Sequence, residues 1–241
     1  MAELRFDIQN VLTKSWEAFA KNALFFILYF LALGAAAIIL TAIIGLISAI
    51  FTMIWVYLGI AVYIILIVAL SIACLAALYI PVANSIKAAN GEVIDMKNLF
   101  KIDRANLIKF VAISIIIYAI VFVLYVIFNF IPVWLLGFHS MILWSFTSII
   151  WIAISLLIQV LFFPVVYICI DKKELSIIDT LKLSYKITST EFASAIVWVL
   201  ICVALFAVGM IVFGIGLLVT MPLMFIGSAL VYQKLLENKA N

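Results

Sequence analysis

The sequence has almost no charge along most of its length. Residues 22–86, 110–170 and 192–233 contain no Asp, Glu, Lys or Arg, although the whole chain has 14 basic and 11 acidic residues. Apolar residues make up 70% of the sequence, and the mean hydropathy is +1.43. Soluble domains are about half apolar and about a quarter charged. The composition therefore excludes a soluble globular protein and indicates a chain embedded in lipid.

The sequence also has few side chains that could support catalysis or metal binding. Its one histidine, His139, has no carboxylate nearby, and Cys74, Cys169 and Cys202 are far apart with no CxxC or Cys/His spacing. No glycine motif of the phosphate-binding type GxGxxG or GxxxxGK[ST] occurs. The uncharged stretches lack the ionisable groups that mark proton relays and ion pathways. We therefore expect no enzymatic activity, no cofactor, no metal ion and no ion-coupled transport.

The three uncharged stretches determine the expected number of membrane crossings. A helix needs about 20 residues to cross the hydrocarbon core, so each stretch is long enough to cross twice. This predicts an all-α fold, a polytopic membrane helical bundle of six transmembrane helices arranged as three hairpins. The alternative is three long single crossings, which would divide the basic residues between the two sides. Residues 1–241 are expected to form a single integral membrane domain.

The basic residues determine the expected orientation. With six crossings all 14 of them lie on one face of the membrane. Short loops rich in Lys and Arg stay in the cytoplasm. We therefore expect a multi-pass protein of the cell membrane with cytoplasmic N- and C-termini. The acidic residues share this face and leave a net charge of only +3, which gives no reason to expect a nucleic-acid partner.

Three charged clusters show helical periodicity, which predicts a cytoplasmic amphipathic helix before each hairpin. Apolar positions recur three and four residues apart in residues 4–20, in a shorter stripe at 96–100, and in residues 177–188 after a capping box of Ser176 and Asp179. The side chains expected to contact interfacial lipid or a partner are Ile8, Val11, Leu12, Trp16, Phe19, Ile178, Leu181 and Tyr185. Packing against the protein's own bundle is the alternative.

Each predicted hairpin has one proline in its returning helix, namely Pro81, Pro164 and Pro222. Together with the amphipathic segments, these prolines suggest internal repeats over residues 4–86, 92–170 and 175–236. A proline in a membrane helix frees a carbonyl that a neighbouring group must satisfy. Internal repeats are frequent in transporters, but parallel repeats also arise by duplication without any transport role.

Among the polar side chains of the uncharged stretches, Gln159 is the first candidate for a functional contact. An amide near the middle of the membrane that lacks a partner costs on the order of a few kcal/mol. We therefore expect Gln159 to make an intramembrane polar contact. A hydrogen bond between helices is one interpretation, and a binding contact is the other.

Both ends of the sequence resemble a group of prokaryotic six-span membrane proteins. The residues that carry the resemblance are Phe6-Asp7-Ile8, Val11-Leu12, Ser15-Trp16, Phe19, Gly214-Ile215-Gly216-Leu217, Pro222-Leu223 and Tyr232. The group consists of domains of unknown function, including relatives of the membrane domain attached to some glycerophosphoryl diester phosphodiesterases. This sequence carries no soluble phosphodiesterase domain, so the resemblance implies a membrane protein with no catalytic residues to carry over.

The sequence leaves three functional hypotheses. The first is a non-enzymatic protein that organises the membrane, assembles, or binds lipid or a partner through its cytoplasmic helices. Its partners would be membrane lipid, a second copy or another membrane protein. The second is a permease, or the membrane subunit of a transporter, for an apolar or lipid-like substrate. An interfacial helix before six spans resembles some ABC exporter permeases, and this hypothesis requires a separate ATPase. The third, a membrane-embedded enzyme, is disfavoured by the missing acid, base and metal groups.

Overall fold

The chain folds into helices that are long and apolar enough to cross a membrane. The computed structural model describes residues 6–95, 103–131, 134, 141–211 and 214–237. Six segments in these ranges qualify as spans: Ile8–Ile54, Val56–Ala89, Arg104–Phe130, Ser145–Asp171, Phe192–Ile211 and Leu217–Glu237. The same ranges contain no β-strand. The chain is therefore an all-helical, multi-pass membrane protein, as its composition predicts.

The α-helices are numbered here in chain order. They are α1 (Ile8–Ile54), α2 (Val56–Ala89), α3 (Arg104–Tyr125), α4 (Met141–Phe162), α5 (Val165–Asp171), α6 (Ile177–Thr190), α7 (Phe192–Ile211) and α8 (Leu217–Glu237). A π-helical turn, Val126–Phe130, extends α3. Consecutive long helices contact each other, α1 with α2, the π-helical end of α3 with α4, and α7 with α8.

Local side-chain chemistry explains where several helices begin. The carboxylates of Asp7 and Asp103 accept hydrogen bonds from the backbone N–H two residues later, at the starts of α1 and α3. Ser176 caps α6, because its Oγ accepts from the N–H of Asp179 at 3.1 Å and donates to the Asp179 carboxylate at 2.6 Å. The Ser176 half of the predicted capping box is therefore present, and the Asp179 carboxylate accepts from the Ser176 hydroxyl.

The N-terminal amphipathic segment is not a helix of its own. It continues without a break into the first span, so α1 runs over 47 residues. The prediction of a short helix along the inner leaflet is wrong for this segment. No glycine or proline interrupts residues 8–33, and one buried face continues along the helix through Val11, Ser15, Phe19, Asn22, Phe26 and Phe30. The stripe predicted at 96–100 lies outside the described residues.

The four charged clusters meet at one end of the bundle. The contacts that join them, or residues beside them, are Lys109 Nζ to the Lys172 carbonyl (3.4 Å), Tyr232 Oη to Asp171 Oδ2 (2.8 Å), Gln233 Nε2 to Asn90 Oδ1 (2.8 Å) and Asn22 Nδ2 to the Glu92 carbonyl (3.3 Å). We call this end the charged end and the opposite one the far end.

The apolar core lies in the half of the bundle next to the charged end, and α8 is at its centre. Ile226, Ala229 and Val231 of α8 are fully buried. The Trp198 indole of α7 is also fully buried and donates from Nε1 to Ser228 Oγ at 2.9 Å. Its ring occupies the space where a side chain on Gly227 would lie. A glycine at this position lets α7 approach α8 closely.

We call α1 with α2, α3 with α4, and α7 with α8 the three helix pairs. Towards the far end, the buried contacts lie between the two helices of a pair. They are Gly59 of α2 against Thr52 of α1, Asn129 Nδ2 of the π-helical turn to Ser148 Oγ of α4 (3.4 Å), and Gly209 of α7 against Thr220 of α8. The remaining surface there is apolar and exposed, as in Leu46, Ile54 and Val208. Lipid tails are as apolar as these side chains, so this surface suits a bilayer.

The helix pairs differ in length. The uncharged residues 22–54 of α1 extend over about 50 Å at 1.5 Å per residue, whereas the hydrocarbon core is about 30 Å thick. By contrast, α7 has 20 residues and α8 has 21, which match the thickness of the core. The first pair is therefore much longer than one bilayer crossing requires.

The three prolines have different local roles. Pro81 and Pro222 lie inside α2 and α8. Pro164 instead lies in the break between α4 and α5, where the helical hydrogen-bond ladder is interrupted. Before the break, residues 145–162 are exposed or partly exposed except Thr147 and Val160, whereas Val165 and Ile168 after it are fully buried. The division of the chain into three repeats stays a prediction.

Candidate membrane-contacting surface

Helix α6 lies across the break between α4 and α5. Because α4 ends at Phe162, the Leu161 carbonyl turns to α6, where it accepts from Ser184 Oγ at 3.0 Å and from Thr188 Oγ1 at 2.9 Å. A buried carbonyl without a partner costs about 1–3 kcal/mol. The two hydroxyls therefore satisfy a group that the break frees, and they hold α6 against the bundle.

The buried face of α6 is polar. Thr180, Ser184 and Thr188 are spaced four residues apart and are all fully buried, together with Ile187. Their hydroxyls are bonded, since Thr180 donates to the Ser176 carbonyl at 2.8 Å. Hydroxyls thus occupy the face that an amphipathic helix of a soluble protein fills mainly with apolar side chains.

The exposed surface of α6 carries its large apolar side chains beside two lysines. Ile178 is 62% exposed and Tyr185 is 54% exposed, and Lys182 and Lys186 are exposed next to them. Leu181 is partly buried against the core. An apolar edge bordered by lysines and a tyrosine is typical of a helix at the headgroup level, where aromatic rings and lysine stems lie in the boundary. Of the residues predicted in this segment, Ile178 and Tyr185 are thus exposed and Leu181 is not, and their contact with lipid stays a prediction.

The N-terminal set of predicted contacts divides differently. Val11 and Phe19 are buried in the core, and Ile8 and Leu12 are partly buried against it. These four residues therefore pack against the protein's own bundle, which was the alternative to contact with lipid or a partner. Trp16 is different, because 54% of it is exposed, and it lies beside Phe19 with a centroid distance of 5.7 Å.

A groove of about 260 Å³ opens at the charged end between α1 and the last turns of α2 and α8. Its lining includes Val11, Leu230 and Gln233, with the cations Lys14 and Lys234 and the carboxylate of Glu237. The C-termini of α2 and α8 end close to this groove, and helix C-termini carry a partial negative charge. Lys14 and Lys234 are therefore balanced by helix ends and by Glu237, so the groove does not present a strong field for an anion.

A second group of charges ties α3 to α5. Lys173 Nζ lies 3.7 Å from Asp103 Oδ2, and Lys109 donates to the Lys173 carbonyl at 3.5 Å. Lys173 and Asp103 are exposed and Lys109 is partly exposed, so these contacts contribute little to stability. Across the described ranges, no three His, Cys, Asp or Glu side chains form a group that could hold a metal ion. This part of the charged end connects the residue before α3 to the residues after α5.

Gln159 lies on α4, exposed, twelve residues before Asp171. The hydrogen bonds of the described residues include none to its amide. The expected intramembrane contact is therefore not made within this part of the chain. Whether another molecule supplies it stays a prediction.

The periodicity of residues 177–188 does not predict the hydroxyl face of α6. It places Thr188 in one stripe with Ile178, Leu181 and Tyr185 and leaves Ser184 out, whereas the structure buries Thr188 with Ser184 and exposes Ile178 and Tyr185. A partial signal was available, because hydroxyl residues spaced four apart follow Pro164, and a proline that breaks a membrane helix leaves carbonyls of the preceding turn in need of donors. Comparison of the chain with protein-family models, curated proteins and solved structures finds no significant match.

Proposed function

We propose that this chain is a non-enzymatic protein of the cell membrane that binds anionic lipid of the cytoplasmic leaflet through α6 and thereby organises the membrane around it. The observation that carries this proposal is the outward edge of α6, where Ile178 and Tyr185 lie exposed beside Lys182 and Lys186. In this arrangement the three helix pairs are hairpins whose charged ends, with both termini, face the cytoplasm. Helix α6 is the interfacial helix that introduces the third hairpin.

The way α6 is held supports this role. Its hydroxyl face is bonded to the Leu161 carbonyl, so its orientation about its own axis is fixed before any lipid binds. A preorganised edge loses less conformational entropy on binding than a free segment does. Ile178 and Tyr185 then enter the boundary of the acyl chains, and Tyr185 keeps its hydroxyl among the headgroups.

The lysines set the expected lipid preference. Each Lys near an anionic surface contributes about 1 kcal/mol. Lys182 and Lys186 together therefore contribute about 2 kcal/mol, which corresponds to a preference of roughly thirtyfold for anionic over neutral lipid. This preference falls as salt rises, because both lysines are exposed.

The test compares lipid retention by two variants of the full chain. K182Q/K186Q removes two charges from α6, and K14Q/K234Q removes the same charge from the groove at the same end. Each protein is purified from vesicles of mixed phosphatidylglycerol and phosphatidylcholine, and the bound lipids are counted by native mass spectrometry. We expect the anionic preference to fall about tenfold or more in K182Q/K186Q and to stay near the unmodified value in K14Q/K234Q. An equal fall in both variants would show that net charge, and not α6, selects the lipid.

A second experiment addresses membrane organisation. Vesicles that contain the unmodified chain are imaged by electron cryomicroscopy beside vesicles that contain I178S/Y185S. We expect the unmodified chain to change vesicle shape and the variant to lose this effect, because the apolar edge no longer enters the acyl boundary. Indistinguishable vesicles would contradict the organising role.

A second candidate function is the membrane subunit of a transporter for an apolar or lipid-like substrate. It is favoured by uncharged spans whose surfaces towards the far end are exposed, since such surfaces accept an apolar molecule and reject ions. This function needs a separate ATPase. The test is purification from the native membrane followed by an assay of ATP hydrolysis and of lipid transfer between leaflets. A chain that purifies without an ATPase and transfers no lipid argues against this candidate.

A further inference from the structure

The groove at the charged end, between α1 and the last turns of α2 and α8, has charged side chains that form no ion pair within the described ranges. These are Lys14, Lys234 and Glu237, although Lys234 and Glu237 are only three residues apart on α8. The Gln233 amide donates to Asn90 Oδ1 at 2.8 Å, and its carbonyl oxygen remains as an acceptor. The groove therefore has donors and acceptors available to a molecule outside the chain.

The charges of the groove nearly cancel in sum, but they stand on different residues. The two lysine charges are offset by the Glu237 carboxylate and by about half a charge at each C-terminus of α2 and α8. Gln233 and Glu237 are neighbours on α8, four residues apart, and Lys14 lies across the groove on α1. A simple anion would leave Glu237 without a partner, and a simple cation would leave the lysines without one. The groove therefore suits a ligand that is neutral as a whole and carries one anionic and one cationic group.

The residue types in the groove indicate which ionic groups it accepts. Lysine is a common ligand of phosphate. Quaternary ammonium groups such as choline are recognised by aromatic rings, and none of the described residues that line the groove is aromatic. A primary ammonium instead donates three hydrogen bonds, which suit the Glu237 carboxylate and the Gln233 carbonyl oxygen. The lining therefore favours a phosphate ester that carries a primary amine.

The position and size of the groove indicate a lipid as the source of this ester. Lys234 is the first charged residue after the uncharged stretch 192–233, so the groove lies where a span leaves the hydrocarbon core and the lipid headgroups begin. Its volume of about 260 Å³ is just below the range of about 300–1,000 Å³ for pockets that hold a whole small molecule. A headgroup therefore fits the groove, while the acyl chains of the same lipid stay in the bilayer.

We propose that the groove binds the headgroup of phosphatidylethanolamine. Lys14 and Lys234 hold the phosphate, and Glu237 and Gln233 accept hydrogen bonds from the ammonium. This site goes beyond the proposed function, because α6 selects anionic lipid through its lysines whereas the groove selects a lipid without net charge. K182Q/K186Q is therefore expected to keep the preference for phosphatidylethanolamine, and failure of either proposal leaves the other standing.

The first test measures which neutral lipid the full chain retains. The protein is purified from vesicles with equal amounts of phosphatidylethanolamine and phosphatidylcholine, and bound lipids are counted by native mass spectrometry. We expect E237Q to lower the preference for phosphatidylethanolamine about threefold to fivefold, the upper part of the range for an exposed ion pair. E17Q, an exposed carboxylate at the same end that does not line the groove, should leave it unchanged. No preference in the unmodified chain, or an equal fall in E237Q and E17Q, would overturn the proposal.

The second test locates the site and identifies the source of the headgroup. A89M extends a side chain of the lining into the groove without a change of charge, and A20M adds the same bulk at an exposed position of α1 outside the lining. We expect A89M to retain less phosphatidylethanolamine and A20M to retain as much as the unmodified chain. Soluble phosphoethanolamine at about 1 mM should not displace the lipid, whose effective concentration beside the groove is in the millimolar range or above. Full retention by A89M, or displacement by the soluble ester, would overturn the assignment to a lipid headgroup.

Discussion

The paired hydroxyls on the Leu161 carbonyl lead to a prediction of non-additive stability. The carbonyl accepts from Ser184 and from Thr188, and the Thr188 hydroxyl has a second acceptor, the Ser184 carbonyl at 2.8 Å. Its single proton can therefore serve either carbonyl. If Ser184 is replaced by Ala, Thr188 still donates to Leu161. If Thr188 is replaced by Val, which has the same shape, Ser184 remains. Either single substitution leaves the carbonyl bonded.

These contacts set the magnitudes. Each of S184A and T188V loses one hydrogen bond of about 0.5–1 kcal/mol. The double variant leaves the Leu161 carbonyl buried and unbonded, which adds a desolvation cost of about 1–3 kcal/mol. We therefore expect the double variant to lose about 2–5 kcal/mol of unfolding free energy, which exceeds the sum of the singles by about 1–3 kcal/mol.

The assay is a double-mutant cycle on the full chain in bilayer discs, with unfolding free energies from steric trapping or denaturant titration. T180V is the matched control, because Thr180 lies on the same buried face but donates to a carbonyl of its own helix. We expect T180V to be additive with S184A. A coupling energy between S184A and T188V below about 0.5 kcal/mol, the usual error of additivity, would refute the claim that the two hydroxyls share one carbonyl.

Two further predictions concern the core next to the charged end. G227A is expected to destabilise the fold by about 1–3 kcal/mol, since the added methyl meets the Trp198 ring. G34A adds its methyl in open space and should be neutral or slightly stabilising. Thermal unfolding in bilayer discs compares the two variants, and equal melting temperatures would be inconsistent with tight packing at Gly227. Y232F is expected to lose about 1.5–3 kcal/mol, because Tyr232 donates to the Asp171 carboxylate at 2.8 Å. This loss should largely disappear in a D171A background, which has no acceptor at this position. A full loss there would mean that the ring position matters and the hydrogen bond does not.

Local signals in the sequence predict the membrane class and several helix starts. The uncharged stretches are longer than one crossing, and the capping box of Ser176 and Asp179 depends on residues three apart in the chain. Such features can be recognised without knowing which residues pack against them. The same holds for the presence of a helix at α6, whose periodicity and cap both lie within residues 176–190.

The packing partners of these helices could not be predicted in the same way. In water, an apolar face turns inward, but in a bilayer it can also turn to lipid, so polarity no longer separates inside from outside. Residues 8–20 and 177–190 both show apolar periodicity, yet Val11 is buried in the core while Ile178 is exposed. The orientation of α6 is set by its hydrogen bond to the Leu161 carbonyl. This carbonyl is available only because α4 ends nearby.

The length of the first helix pair gives this protein a preferred membrane environment. An uncharged stretch of about 50 Å fits a 30 Å core only at a tilt of about 50°, which exceeds the usual range of about 0–40°. The remaining mismatch must be met by the lipid, at a cost of a fraction of a kcal/mol per Å. Because α7 and α8 match a bilayer of ordinary thickness, the lipid annulus is stretched on one side of the molecule and relaxed on the other. Long-chain lipids are therefore expected to gather along α1 and α2 rather than along α7 and α8.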